Sequence, residues 1–245
     1  MDTAAPAARF DGWRIVALAA VAQGLSLPLM SAYGVVATPL IEEFGATATQ
    51  LGLGMSFAIL ATAGVGPLLG LGLDRGPLRT IMLAGVALMF ASVFLLSRGS
   101  ALWQLALCFA FATAGMSMYG MLPVQVILVN WFIVRRGAAL SFAFLGTSVA
   151  AFIVPPATAW LVEGFGWRRA LVVLAAVAAA VAVPVILRLV KRPEEVDQTP
   201  DGLPDVSLAS AAAADGSPNG PRRWLRDPNF WVIGAGGGLA LAVAV

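Results

Sequence analysis

The chain has 245 residues, 60% of them hydrophobic and only 11% charged, with a mean hydropathy of +0.88; soluble domains are typically about a quarter charged, so this is the composition of a membrane protein. The formal charge of +2 is scattered as short basic clusters between apolar runs, which argues against a nucleic-acid-binding face. Without histidine, and with Cys108 as the single cysteine, there is no basis for a zinc hydrolase, a His-based acid–base site or an intrachain disulfide, and no cofactor or metal is expected.

A bilayer core of about 30 Å asks for roughly 20 apolar residues per helix. Taken in chain order, residues 1–13 are a polar N-terminal segment, and apolar runs at 14–38, 50–73, 79–97, 101–124, 137–161 and 169–190 predict a six-helix bundle over 14–190. Ala20-Val21-Ala22 has the small-residue spacing of a signal cleavage site, but the apolar run continues far past it, so the first span reads as an uncleaved helix. Residues 191–229 are Asp-, Ser-, Ala- and Pro-rich, which predicts a linker with little fixed structure. Residues 230–245 begin a seventh apolar run whose 16 residues would reach only about 24 Å as a helix. With the N-terminus inside, 12 of the 15 Lys and Arg residues fall on the inner side, which predicts a cytoplasmic N-terminus.

The spans carry an internal echo. Ser56-Phe57-Ala58-Ile59-Leu60-Ala61-Thr62 returns as Ser141-Phe142-Ala143-Phe144-Leu145-Gly146-Thr147, Gly24-Leu25-Ser26-Leu27 parallels Gly115-Met116-Ser117-Met118, and Arg79 opens the third span as Arg169 opens the sixth. The offsets of 85, 91 and 90 residues fit two three-helix units of opposite orientation.

Between the second and third spans lies Gly70-Leu71-Gly72-Leu73-Asp74-Arg75-Gly76-Pro77-Leu78-Arg79, read as a tight charged turn. It resembles the signature loop of the major facilitator superfamily, a class of secondary transporters: Gly, three residues, Asp-Arg, one residue, Gly, then basic residues. Here the second glycine comes one position early and Pro77 follows it. Arg135-Arg136-Gly137 after Trp131-Phe132, Gly166-Trp167-Arg168, and in part Asp11-Gly12-Trp13 resemble the monocarboxylate and oxalate/formate-like branches. The fourth span has no charge, and Ala150-Ala151 stand where drug antiporters carry Gly-Pro, which counts against that branch.

The resemblance implies an all-α membrane protein: the six-helix N-terminal half of a facilitator fold, made of two inverted repeats, plus a truncated seventh helix, with a C-terminal six-helix half missing. It implies movement of a small solute, such as a small organic anion, across the cell (inner) membrane by alternating access, with no covalent chemistry. It also implies a cytoplasmic gate at Gly70, Asp74, Arg75 and Arg79, joined by Arg135 and Arg136 on the same side. A six-helix scaffold or half-size subunit that works by self-pairing is the alternative.

A substrate pocket needs polar side chains on inward faces. Gln23, Ser26, Met30 and Tyr33 share one side of the first span at offsets of 0, 3, 7 and 10. Ser117, Gln125 and Asn130 in the fourth span offer further donors and acceptors. Gln23 and Tyr33 could equally hydrogen-bond between helices, and the small hydroxyl residues could simply pack. Pro67, Pro155, Pro156 and Pro184 are expected to interrupt helices. No span interior contains Asp, Glu, Lys or Arg, so an anionic substrate would need its counter-charge in the missing half.

Overall fold

A computed structural model describes residues 10–26, 28–75, 77–189 and 198–202. Among the described residues eight α-helices follow one another: α1 (Gly12–Leu25), α2 (Pro28–Phe44), α3 (Ala48–Arg75), α4 (Leu78–Leu96), α5 (Leu102–Tyr119), α6 (Met121–Trp131), α7 (Arg136–Phe165) and α8 (Trp167–Leu189). They make six membrane-length apolar spans, because α1 and α2 share the span Gly12–Phe44 and α5 and α6 share Leu102–Trp131. No strand occurs among the described residues. The first and fourth spans outrun their apolar cores, since Glu42, Glu43 and Asn130 continue the helices beyond them. The seventh apolar run, 230–245, lies outside the described residues.

The two three-helix units are visible in the spacing. Equivalent helices start at Gly12 and Leu102, Ala48 and Arg136, and Leu78 and Trp167, which are offsets of 90, 88 and 89 residues. Three spans per unit reverse the direction of the second unit relative to the first. The units also exchange partners: α1 packs on α7, α5 packs on α3, and α4 meets α8. Backbones approach closely where side chains are absent. A Cβ on Gly146 would lie 1.8 Å from the Ala20 carbonyl oxygen, and one on Gly115 would lie 2.7 Å from the Gly85 oxygen. Small residues are what let membrane helices pack this tightly.

The core is filled by Met82, Tyr119, Leu128, Trp131, Phe132 and Ile186, all essentially inaccessible. By contrast α3 and α7 bury little, and α7 exposes Phe152 at 84% and Trp160 at 70%. On the face where the chain begins, Phe10 and Trp13 stack edgewise on Phe132 at 5.6 and 5.5 Å, pinning α1 to the α6–α7 junction.

Two sequence expectations change. Pro67, Pro155, Pro156 and Pro184 all lie inside continuous helices, as membrane helices tolerate when neighbours take up the freed backbone groups. The discontinuities fall instead at 26–27, before Pro28, and at Gly120. Residues 198–202 also depart from the free linker: a 3₁₀ turn at Pro200–Gly202 docks on the face where the chain begins. The rest of 191–229 lies outside the described residues.

Candidate substrate site

The two broken spans break beside each other. At the first, the Ser26 backbone N–H turns back to the Gln23 carbonyl at 3.2 Å and its hydroxyl donates to the same oxygen at 2.7 Å. Pro28 then opens α2, where its missing N–H costs nothing. At the second, a Cβ on Gly120 would lie 2.7 Å from the Ser26 Cβ and Oγ, so only glycine lets the breaks touch. Tyr119, fully buried, donates its hydroxyl to the Leu25 carbonyl at 2.9 Å. That carbonyl belongs to the last turn of α1 and has no partner further along its own helix.

A cavity of about 260 Å³ opens against the breaks, lined by Ser26, Met30, Ile59, Thr62, Thr113, Met116, Ser117 and Met121. Thr62 and Thr113 join α3 to α5, hydroxyl to hydroxyl, at 3.1 Å. The hydroxyls otherwise donate to their own helices: Thr62 to the Ala58 carbonyl at 2.9 Å, Thr113 to Ala110 at 2.9 Å and Ser117 to Thr113 at 3.0 Å. Thr62 and Thr113 have two protons for these three contacts, so the Thr62 proton serves either the Ala58 carbonyl or the Thr113 hydroxyl, and the Thr113 and Ser117 protons go to backbone, leaving lone pairs for a solute. To bind an anion they must rotate a proton inward. Three methionines supply a soft, adaptable wall. Among the described residues no charged side chain lines the cavity.

The sequence-predicted pocket residues therefore separate. Ser26 and Ser117 meet in this cavity, with Met30 beside them. Gln23 is buried at 2% exposure in α1, one turn before the break, and does not line it. Tyr33 lies in another hollow of about 60 Å³, among Leu29, Val36, Leu51 and Phe109, with its hydroxyl donating to the Leu51 carbonyl at 2.7 Å. Gln125 is half-buried and Asn130 exposed on α6, and neither lines the cavity. Thr62 and Thr113 were missed as pocket residues. Their signal was present: Thr62 closes the repeated Ser56–Thr62 segment, and Thr113 stands one turn before Ser117 on the same helix face.

The predicted gate residues lie at the face where the chain begins. The run Gly70–Arg75 is the last part of α3 rather than a turn, and only 76–77 separate it from α4. Gly70 has open space where a Cβ would be, and the side chains of Asp74 and Arg75 lie outside the described residues. Arg79, in the first turn of α4, donates to the Leu187 carbonyl at 3.0 Å, near the end of α8, where a cation suits the helix dipole. Arg135 and Arg136 open α7 with exposed side chains.

The opposite face has its own clasp. Trp167 Nε1 donates to Glu43 at 2.7 Å, Arg168 pairs with the same carboxylate, and the Arg168 guanidinium also donates to the Gly99 carbonyl at 3.0 Å. Gly166 makes the turn into α8 at φ 77°, a conformation that favours glycine. Among the described residues no cluster of His, Cys, Asp or Glu could hold a metal.

Six apolar spans in two inverted triplets, with paired breaks around an uncharged cavity, define an integral multi-pass membrane protein of inverted-repeat architecture. The chain belongs to the Major Facilitator Superfamily, whose family model matches residues 16–245. It is 28% identical over 167 residues to monocarboxylate transporter 11 of Mus musculus, covering 68% of this chain and 37% of that protein. Monocarboxylate transporter 3 of the same organism is 29% identical over 157 residues, covering 64% and 32%. The uncharacterized transporter ESBP6 of Saccharomyces cerevisiae is 30% identical over 114 residues, covering 46% and 17%. The chain thus spans about one third of the length of the monocarboxylate transporters it matches.

Proposed function

We propose that this chain forms the N-terminal six-helix half of a secondary transporter that moves a small organic anion, such as a monocarboxylate, by alternating access. The observation that carries the reading is the cavity at the touching breaks of the first and fourth spans, walled by Ser26, Thr62, Thr113 and Ser117. Discontinuous helices at the interface of inverted repeats are where such proteins bind solute. The names of the relatives support the substrate class.

The exposed apolar faces of α3 and α7 suit a second six-helix half, which would complete the cavity. The neutral wall leaves an anion's counter-charge to that half. Arg79, Arg135 and Arg136, with Gly70, Asp74 and Arg75, form the gate on the inner face, and the excess of Lys and Arg on that face supports a cytoplasmic N-terminus in the cell membrane.

Uptake of radiolabelled lactate, pyruvate and acetate into proteoliposomes holding the full-length protein tests this. Saturable uptake of one of them, competed by unlabelled solute and reduced several-fold by Thr113→Val, is the expected result. Uptake no faster than in protein-free liposomes for all three overturns the substrate class.

A further inference from the structure

Residues 198–202 bring a carboxylate to a place the transport reading leaves unexplained. Asp201 accepts three consecutive backbone N–H bonds, from Ile133 at 2.6 Å, Val134 at 2.7 Å and Arg135 at 3.2 Å. These amides lie between the end of α6 at Trp131 and the start of α7 at Arg136. They precede the first turn of α7: Arg135 is its N-cap and Ile133 and Val134 lie just outside it, close to the positive end of the helix dipole. Local sequence supplies no cap, since Arg135 stands at the N-cap position and makes no side-chain cap bond.

The fit is specific. Asp201 is 8% exposed and holds a left-handed backbone at φ 56°, which Asp tolerates better than most residues. The same short strap is fixed a second time, where Gln198 Oε1 accepts the Asp11 N–H at 3.0 Å, just before α1. Arg135 and Arg136 are exposed and form no ion pair among the described residues. Their placement comes from the backbone beneath them, and that backbone is held by Asp201.

We propose that Asp201 is a positioning residue for the Arg135-Arg136 pair: its carboxylate, from a distant point of the chain, anchors the segment between α6 and α7 from which both guanidinium groups project. The inference deepens the reading of that pair as part of the gate and rests on it.

Amide hydrogen exchange on the full-length protein in lipid nanodiscs tests the anchor. Asp201→Ala is expected to speed exchange at Ile133, Val134 and Arg135 by about tenfold or more, with α4 amides from Met82 to Met89 unchanged. The vacated amides form an anion-binding concavity, so millimolar inorganic sulfate should slow them again in Asp201→Ala and have no effect on the wild type. Asp201→Asn, which keeps the shape and loses the charge, should fall between. Equal exchange in wild type and Asp201→Ala overturns the proposal, as does acceleration spread equally over α4, or the absence of any slowing by sulfate. Arg135→Gln with Arg136→Gln should leave the three amides at wild-type rates. If that pair also leaves uptake unchanged, the gate reading fails while the exchange result stands or falls by itself.

Discussion

Tyr119 shows how a single polar atom holds the architecture. Its hydroxyl is buried and satisfies the Leu25 carbonyl at the break in the first span, so one hydrogen bond joins the two discontinuities. Tyr119→Phe removes that donor without changing shape. It should lower stability by about 1 kcal/mol, the scale of hydrogen bonds in membrane proteins, read as a lower midpoint of thermal unfolding in detergent. An unchanged midpoint would mean the carbonyl finds another donor. Gly146 makes the complementary case. Any side chain there enters the space of the Ala20 carbonyl, since even a Cβ would sit 1.8 Å away. Gly146→Val should therefore prevent α1 and α7 from closing and abolish the monodisperse peak in size-exclusion chromatography. A normal peak would show that the backbones can part without loss.

Some of these residues were legible in the sequence and others were not, for physical reasons. Ser26 and Ser117 stand out as polar groups inside apolar runs, and both reach the cavity. Helical offsets from Gln23 along one continuous helix put Tyr33 on their side. Past the break Met30 still reaches the cavity, whereas Tyr33, nearly a turn further along α2, reaches a different hollow. Thr62 and Thr113 are harder to read, because a small hydroxyl residue in a membrane helix is equally suited to packing.

At the scale of elements, apolar run length located six spans but not their interruptions. Proline drew attention as the helix breaker, yet the prolines expected to interrupt helices run through them. The breaks come instead where chain geometry demands them, at Ser26 before Pro28 and at Gly120 against Ser26. Helix ends were legible in part. Arg79 was singled out, but its acceptor, Leu187 on α8, is 108 residues away and carries no sequence signal. The clasp of Glu43 with Trp167 and Arg168 ties α2 to α8 in the same way. Both partners of the ion pair are more than a third solvent-exposed or close to it, so Glu43→Gln should cost only about 0.5 kcal/mol, and less at high salt. A large, salt-independent loss of thermal stability would contradict the picture of a surface clasp.

The whole molecule follows from its symmetry. Two three-helix units in opposite directions exchange partners, place their broken helices together, and leave α3 and α7 with exposed apolar faces. The repeat was visible as three weak segment matches, and the helix starts repeat at similar offsets. A cavity with no charge on this side sets a further expectation. If the solute is an anion, the second six-helix half proposed above must supply an Arg or Lys within its helices, and a half lacking one would remove the anion from consideration.

Alternating access at the paired breaks is the central claim, and side-specific labelling of the cavity tests it most directly. Ser117→Cys, in a Cys108→Ser background of the full-length protein, would be treated with a membrane-impermeant maleimide in right-side-out and inside-out vesicles. The account predicts modification from both sides of the membrane, with Cys108→Ser alone unlabelled. Labelling from neither side, or from one side only, would contradict it.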